Sequence, residues 1–216
     1  MTTTSGTPVV ADFSDCSNFL YTRNFLQSDQ AFLLLEKFYA ELKWQQQEIR
    51  IFGRNVRQPR LSCWYGDKGA RYTYSGLHLE PLPWHSDLLD LRHLLQETLH
   101  HPFNSVLANA YRDGRDSMGW HADDEKELGD DPVIASLSLG ACRRFRWRAL
   151  HGNETRVLPL EHGSLLLMRG NFQTKYQHSL PKTTKSVGLR INLTFRHIEV
   201  PRSQRSNILA PEKMGR

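Results

Sequence analysis

His121-Ala-Asp123 sets an imidazole and a carboxylate two residues apart, and residues two apart in an extended strand share a face. Such a pair is the beginning of the two-histidine, one-carboxylate triad that holds iron(II) on one face and leaves its other positions open. The third ligand has to come from a distant strand, and His178 in Tyr176-Gln-His-Ser-Leu-Pro181 is the best candidate. Of the three open positions, a 2-oxo acid fills two through its carboxylate and keto oxygens, and dioxygen takes the third. The far carboxylate of 2-oxoglutarate needs a planar, always-charged, bidentate partner, which arginine supplies better than lysine. Arg190 follows His178 by twelve residues and falls on the next expected strand. A lone His-x-Asp is common and usually structural, so the weight rests on the ordered set.

These groups need rigid elements to aim them. In Leu189–Arg196 the even positions read Arg, Asn, Thr, Arg and the odd ones Leu, Ile, Leu, Phe. One face of that strand packs and the other lines something wet and anionic. Asn109 with Tyr111, His121 with Asp123, and Arg190 with Asn192 and Arg196 all place polar residues where a core strand would carry apolar ones. Short strands are expected at Val106–Tyr111, Val133–Leu139, Arg144–Arg148, Arg156–Leu160, Ser164–Met168 and Gly188–Arg196. So many strands without intervening helices predict a mainly β protein, a sandwich or jelly roll covered by flanking helices. The helices come earlier. Ser28 caps one carrying Phe32, Leu35, Phe38, Tyr39 and Leu42, and a second spans about 86–99 with Leu88, Leu91, Leu94, Leu95 and Leu99 on one stripe.

The chain of 216 residues divides into a lead-in at 1–24, helices and a recognition segment at 25–104, a catalytic core at 105–199 and a loose tail at 200–216. Residues 25–199 are expected to form one compact domain. No apolar run reaches the roughly 20 residues of a membrane span, and the Thr-rich start lacks the pattern of a secretory signal. Cys16, Cys63 and Cys142 are odd in number and far apart. They fit a reducing intracellular compartment, cytoplasmic in a bacterium and nuclear in a eukaryote. The formal charge of +5 suits a polyanionic partner. No membrane partner is expected, and a monomer is.

Taken together, Asn109-Ala-Tyr-Arg-Asp-Gly114, Gly119-Trp-His-Ala-Asp-Asp-Glu125, Ala135-Ser-Leu-Ser-Leu-Gly140, His162-Gly-Ser-Leu-Leu166, His178-Ser-Leu-Pro181 and Arg190-Ile-Asn-Leu-Thr-Phe-Arg196 resemble the AlkB family of DNA dealkylation dioxygenases. The resemblance runs from about residue 51 to 198 and looks closest to the branch acting on double-stranded DNA. It implies a double-stranded β-helix. It implies iron(II) on His121, Asp123 and His178, and 2-oxoglutarate on Asn109, Tyr111 and Arg190, with Arg196 near its metal-binding carboxylate. The implied reaction consumes O2, decarboxylates 2-oxoglutarate to succinate, hydroxylates the alkyl carbon of N1-methyladenine or N3-methylcytosine and releases formaldehyde, a direct repair of DNA. Trp120 and Ala122, flanking His121, depart from the pattern.

The resemblance also reaches the substrate. A base must leave the helix to meet buried iron. Arg71-Tyr-Thr-Tyr-Ser-Gly76 is similar to the family's lid, so that Tyr74 stacks on the flipped base, Tyr72 and Ser75 contact the lesion or its phosphate, and Glu125 accepts from its exocyclic amine. Ile51-Phe52-Gly53, with Arg54, Arg57 and Arg60, resembles a finger that fills the vacated stack while the arginines hold phosphates. Ordinary strand packing for the tyrosines and Phe52, and a solvated acidic run for Glu125, are the plain alternatives. An RNA demethylase or a protein-acting dioxygenase would use the same chemistry. A cupin isomerase or hydrolase has no use for Arg190, and a binding module has no use for the ligand set.

The finger makes a testable claim. Extruding a base costs a few kcal/mol, mostly in duplex DNA. Phe52→Ala is therefore expected to depress repair of a methylated duplex while sparing the same lesion in a single strand. A buried structural Phe would instead lose about 3–5 kcal/mol of stability and harm both. The duplex-to-single-strand rate ratio, with the melting temperature as control, decides between them.

Overall fold

The short runs of the second half become antiparallel strands because each has at least one face that packs. A computed structural model describes residues 18–51, 53–70, 72–74, 77–152 and 154–199. In chain order the elements are β1 (Phe19–Thr22), α1 (Ser28–Glu41), β2 (Glu48–Ile51), β3 (Arg54–Arg57), β4 (Leu61–Gly66), β5 (Tyr72–Tyr74), β6 (Leu77–Leu79), α2 (Ser86–Leu99), β7 (Ser105–Tyr111) and β8 (Met118–His121). There follow β9 (Ile134–Gly140), β10 (Arg143–Ala149), β11 (Arg156–Leu160), β12 (Ser164–Met168), α3 (Phe172–Lys175), β13 (Tyr176–Leu180) and β14 (Arg190–Arg196).

The large sheet runs β1-β12-β9-β14-β7-β4 and the small one β11-β10-β13-β8. Both are antiparallel throughout, and the two make the jelly roll expected from the strand pattern. Two short hairpins, β2-β3 and β5-β6, stand apart as sheets of their own.

The large sheet packs a core on each of its faces. Ile191, Leu193 and Phe195 of β14, with Ala135, Leu137 and Leu139 of β9, face Leu35, Phe38, Leu88, Leu91 and Leu95 of the helices. Ile134, Leu166 and Met168 face the other way, toward Phe145, Trp147, Leu158 and Leu160 of the small sheet. The helices thus close one side of the large sheet and the small sheet the other.

Several expectations shift. β1 and β4 come from the segments read as lead-in and recognition region, yet they form the two edges of the large sheet. Neither Phe-Leu-Tyr-Thr nor Leu-Ser-Cys-Trp-Tyr-Gly alternates apolar with polar residues in a way that marks a strand. Ser28 is the first residue of α1 rather than its cap; Gln27 holds that place with no side-chain capping bond. On α1, Leu35, Phe38 and Leu42 are buried, but Phe32 and Tyr39 of the same stripe are 55% and 44% exposed. The apolar stripe is wider than the face that the sheet covers.

Close approach joins the two ends that matter for the site. A Cβ on Gly114 would lie 2.4 Å from the carbonyl oxygen of Thr183, so the β7–β8 turn touches the β13–β14 connection only because residue 114 has no side chain. Thr183 N–H donates to the Gly114 carbonyl there at 2.8 Å. Arg143 reinforces the junction, donating to the carbonyls of Asp113, Asp116 and Pro181.

Candidate active site

Between the sheets lies a cavity of about 70 Å³, and the four even residues of β14 (Arg190, Asn192, Thr194 and Arg196) all line it. The neighbouring strand β9 adds Ser136 to the lining, with Ser138 buried two residues further on. The register sets Asn192 beside Ser138 and Thr194 beside Ser136, and a hydrogen-bonded ladder follows. Arg190 Nη2 donates to Ser138 Oγ (3.0 Å) and Asn192 Oδ1 (2.7 Å), Ser136 Oγ donates to Asn192 Oδ1 (3.0 Å), and Asn192 Nδ2 donates to Thr194 Oγ1 (2.7 Å). Ser136 and Ser138 were not singled out as site residues from the sequence. Their signal was present, two serines alternating with leucines.

Arg190 is buried, and no carboxylate among the described residues pairs with it. Its Nε has no hydrogen-bond partner. Burial pushes its pKa down to about 10. Its guanidinium lies 5.3 Å from the centre of the Tyr111 ring, which Arg143 also approaches at 5.8 Å. Asn109 and Tyr111 point into the same cavity. A buried cation that is hydrogen-bonded but not neutralised is a receptor for an anion, and a carboxylate matches its donor geometry.

At the other end, ligand atoms of His121, Asp123 and His178 lie within 4.8 Å of one another. His121 and His178 are ladder partners on β8 and β13, so the sheet places both rings. His121 Nδ1 donates to the Gly119 carbonyl at 2.9 Å, which leaves Nε2 with its lone pair. The ring of His178 stacks on Phe145 at 5.2 Å and 28°, and its Nε2 lies 3.8 Å from Asp123 Oδ2. Burial, and then the neighbouring His121, pushes the His178 pKa down to about 3. Burial also lowers that of His121. For Asp123 burial works toward a higher pKa. The charges of Arg196, His178 and His121, with the hydrogen bond from Arg196, outweigh it and hold the carboxyl below its ordinary value. Two neutral imidazoles and a carboxylate are the protonation states that a metal ligand set requires. The donor set fits iron(II), and Arg190 with Asn109 and Tyr111 fits the far end of a 2-oxo acid.

The structure brings together all seven residues assigned to metal and 2-oxo acid, by a partly different route. Asp123 lies beyond the end of β8, so strand alternation does not set it beside His121. It is held by Arg196, whose Nη2 donates to Oδ1 at 2.5 Å, and by Gln173, whose Oε1 accepts from the Asp123 N–H at 3.0 Å. Arg60 requires a correction. Expected on phosphate with Arg54 and Arg57, it is only 5% exposed and donates from Nε to Asn109 Oδ1 at 2.8 Å. Arg57 is exposed and pairs with Glu48 at 3.2 Å. Glu125 is half-buried, at the start of a short 3-10 turn spanning Lys126–Leu128, and does not line the cavity. Tyr72 and Tyr74 lie on β5 of the second hairpin; their side chains, with Phe52, Arg71 and Ser75, fall outside the described residues. Trp120 carries Arg146 and Arg148 against its ring at 5.4 and 4.3 Å.

A family model described as the 2OG-Fe(II) oxygenase superfamily matches residues 18–196. A protein named alkB homolog 3, an alpha-ketoglutarate-dependent dioxygenase of Bos taurus, is 42% identical over 81% of this chain and 64% of its own length. The human protein named DNA oxidative demethylase ALKBH2 is 41% identical over 87% of this chain and 75% of its own. The Arabidopsis thaliana protein of that name is 34% identical over 86% and 68%. The chain thus spans a little under two thirds of the alkB homolog 3 relatives. A solved structure titled OsALKBH1 superposes with a TM-score of 0.61 over 83% of this chain and 98% of that one. At 15% identity, that likeness is one of fold alone.

The depressed histidine pKa values have a sign that can be measured. An unfolded histidine takes its proton near 6.5, whereas folded His178 resists until about 3. Its contribution to stability is therefore complete above about 6.5 and is lost as the pH falls from there toward 3. Melting temperatures of the metal-free protein are expected to drop between pH 7.5 and 5. His178→Gln is expected to flatten that slope; an unchanged slope would show that His178 titrates normally.

Proposed function

Because the chain belongs to the 2OG-Fe(II) oxygenase superfamily, and within it to the AlkB family, we propose that it oxidatively removes alkyl groups from N-alkylated bases in DNA. The observation that carries the reading is the sharing of one cavity by a His-Asp-His cluster and a buried guanidinium with no counter-charge among the described residues. The choice of DNA follows the relatives named DNA oxidative demethylase. His121, Asp123 and His178 would hold iron(II), which when bound supplies the O2-dependent oxidation that couples 2-oxoglutarate decarboxylation to hydroxylation of the alkyl carbon. The chain's own residues prepare that chemistry. Arg190 takes the far carboxylate of 2-oxoglutarate, Asn109 and Tyr111 flank it, and Ser138 and Asn192 orient the guanidinium. Arg196 fixes one oxygen of Asp123 and leaves the other toward His178. Leu107, Phe145, Leu160 and Met168 wall the cavity and limit water. In this reading Tyr74 stacks on the flipped base and Glu125 accepts from its amine.

A second surface supports a polyanionic substrate. A groove of about 600 Å³ is lined by Arg143, Arg144, Arg146, Lys182 and Lys185, with no carboxylate among its lining residues. Alkylated duplex DNA is the substrate we favour, the chain acting as a monomer inside the cell, nuclear in a eukaryote and cytoplasmic in a bacterium. Cys63 and Cys142 are free thiols, and among the described residues no helix is long and apolar enough to cross a membrane.

The deciding experiment incubates N1-methyladenine and N3-methylcytosine in single-stranded DNA, duplex DNA and RNA with iron(II), ascorbate and 2-oxoglutarate. Loss of the methyl mass and equimolar succinate are expected with DNA. Turnover confined to RNA, or none, would overturn the reading. Arg190→Lys keeps the charge but loses the parallel hydrogen bonds, so the 2-oxoglutarate requirement is expected to rise far more than that for DNA. Normal 2-oxoglutarate dependence with weakened DNA affinity would put Arg190 on the nucleic acid instead.

The groove is tested by salt. Each phosphate contact adds about 0.9 to the slope of log affinity against log salt concentration. The charge reversals Arg144→Glu and Lys185→Glu are each expected to reduce that slope by about 1 while leaving 2-oxoglutarate dependence alone. Unchanged slopes would remove the groove from the DNA path.

A further inference from the structure

Gln173 contributes no metal ligand and stands outside the cavity lining, yet it is buried and bonded to the main chain of Asp123. We propose that it is a positioning residue, fixing where the Asp123 carboxylate points; this rests on reading His121, Asp123 and His178 as the metal site.

The need arises from the strand ending too soon. The β8–β13 ladder reaches His121 opposite His178 and goes no further, so no strand partner accepts the Asp123 N–H. Asp123 is itself only 4% exposed, where an unpaired amide is unfavourable. Gln173 Oε1 meets that amide at 3.0 Å. The other end of its side chain is poorly served: Nε2 faces Met168 Sδ at 3.7 Å, and a thioether is a weak acceptor. Beside Phe172 and Met168 an apolar residue of similar length would pack without that mismatch. The polar end turned to Asp123 is what a glutamine adds.

The geometry explains why one anchor is too few. Arg196 holds Oδ1, and a carboxylate pinned at one oxygen still turns about that contact. Fixing the backbone as well sets the direction of Oδ2, which faces His178 Nε2. Gln173 also lies on α3, immediately before β13, the strand carrying His178. A single side chain therefore ties the loop bearing one ligand to the entry of the strand bearing another. Groups that orient ligands in this way typically change metal affinity about 10- to 100-fold when removed.

The test titrates cobalt(II) anaerobically into metal-free full-length protein, without 2-oxoglutarate or DNA, and follows the ligand-field absorption and the heat of binding. Gln173→Met keeps the length and loses the acceptor; Gln173→Glu keeps an acceptor oxygen. The Met variant is expected to weaken cobalt(II) binding about 10- to 100-fold and alter the ligand-field spectrum, while the Glu variant keeps the wild-type spectrum and order of affinity. Melting temperatures of the metal-free forms control for folding. A folded Met variant with wild-type affinity and spectrum overturns the proposal, and so do equal losses in both variants that track a fall in melting temperature. Failure of the wild type to bind cobalt(II) would instead overturn the metal-site reading on which it rests.

Discussion

Two guanidiniums and a carboxylate sit between two packed sheets, where an isolated charge is unfavourable by several kcal/mol even after relaxation. Asp123 and Arg196 satisfy each other at 2.5 Å. Arg190 has neutral hydrogen-bond partners and, among the described residues, no anion. The polar ladder from Ser136 to Arg190 is what makes such burial tolerable, and it exists because β9 and β14 pair in the register that sets serine beside asparagine and threonine. A slip of one residue would turn Arg190 and Arg196 into the helix-facing core. Closure by the small sheet and the two helices is therefore a condition of the chemistry as well as of stability.

Rigid and irregular parts divide the site between them. His121, His178, Asn109, Tyr111 and Arg190 all stand on strands, whose ladders fix direction closely. Asp123 stands on a loop and has to be held by side chains. That division suits a carboxylate whose main task is to present one oxygen, because two contacts on its backbone and its other oxygen suffice. The turns behind these strands are joined through Gly114 and Arg143, which tie the ends of β7, β8 and β13 together.

Arginine serves unlike purposes within a short distance. Arg60 is buried and bonded to Asn109, Arg143 braces two turns, and Arg146 and Arg148 pack on Trp120. Their shared sequence character, a basic residue among aromatic ones, gives no hint of this. What separates them is whether the side chain leaves its strand toward the cavity, toward a neighbouring turn or toward solvent.

The sequence made legible the fold class, both longer helices, six strands of the core and, partly through the family resemblance, the seven residues that the structure gathers around one cavity. It could do so because local periodicity reports which face is buried, as in the Arg-Asn-Thr-Arg face of β14. It also carried an unread signal in Ser136 and Ser138. Tertiary structure alone decided the rest. β1 and β4 show no clear alternation of apolar and polar residues, and exist as strands because β12 and β7 offer them partners. Arg60 reads as a surface cation until β7 brings Asn109 to it, 49 residues away in sequence. Asp123 looks like a strand residue paired with His121, but the ladder stops and Gln173, 50 residues on, takes over. Long-range contacts of this kind leave no mark on neighbouring residues, since the partner is chosen by packing and not by spacing along the chain.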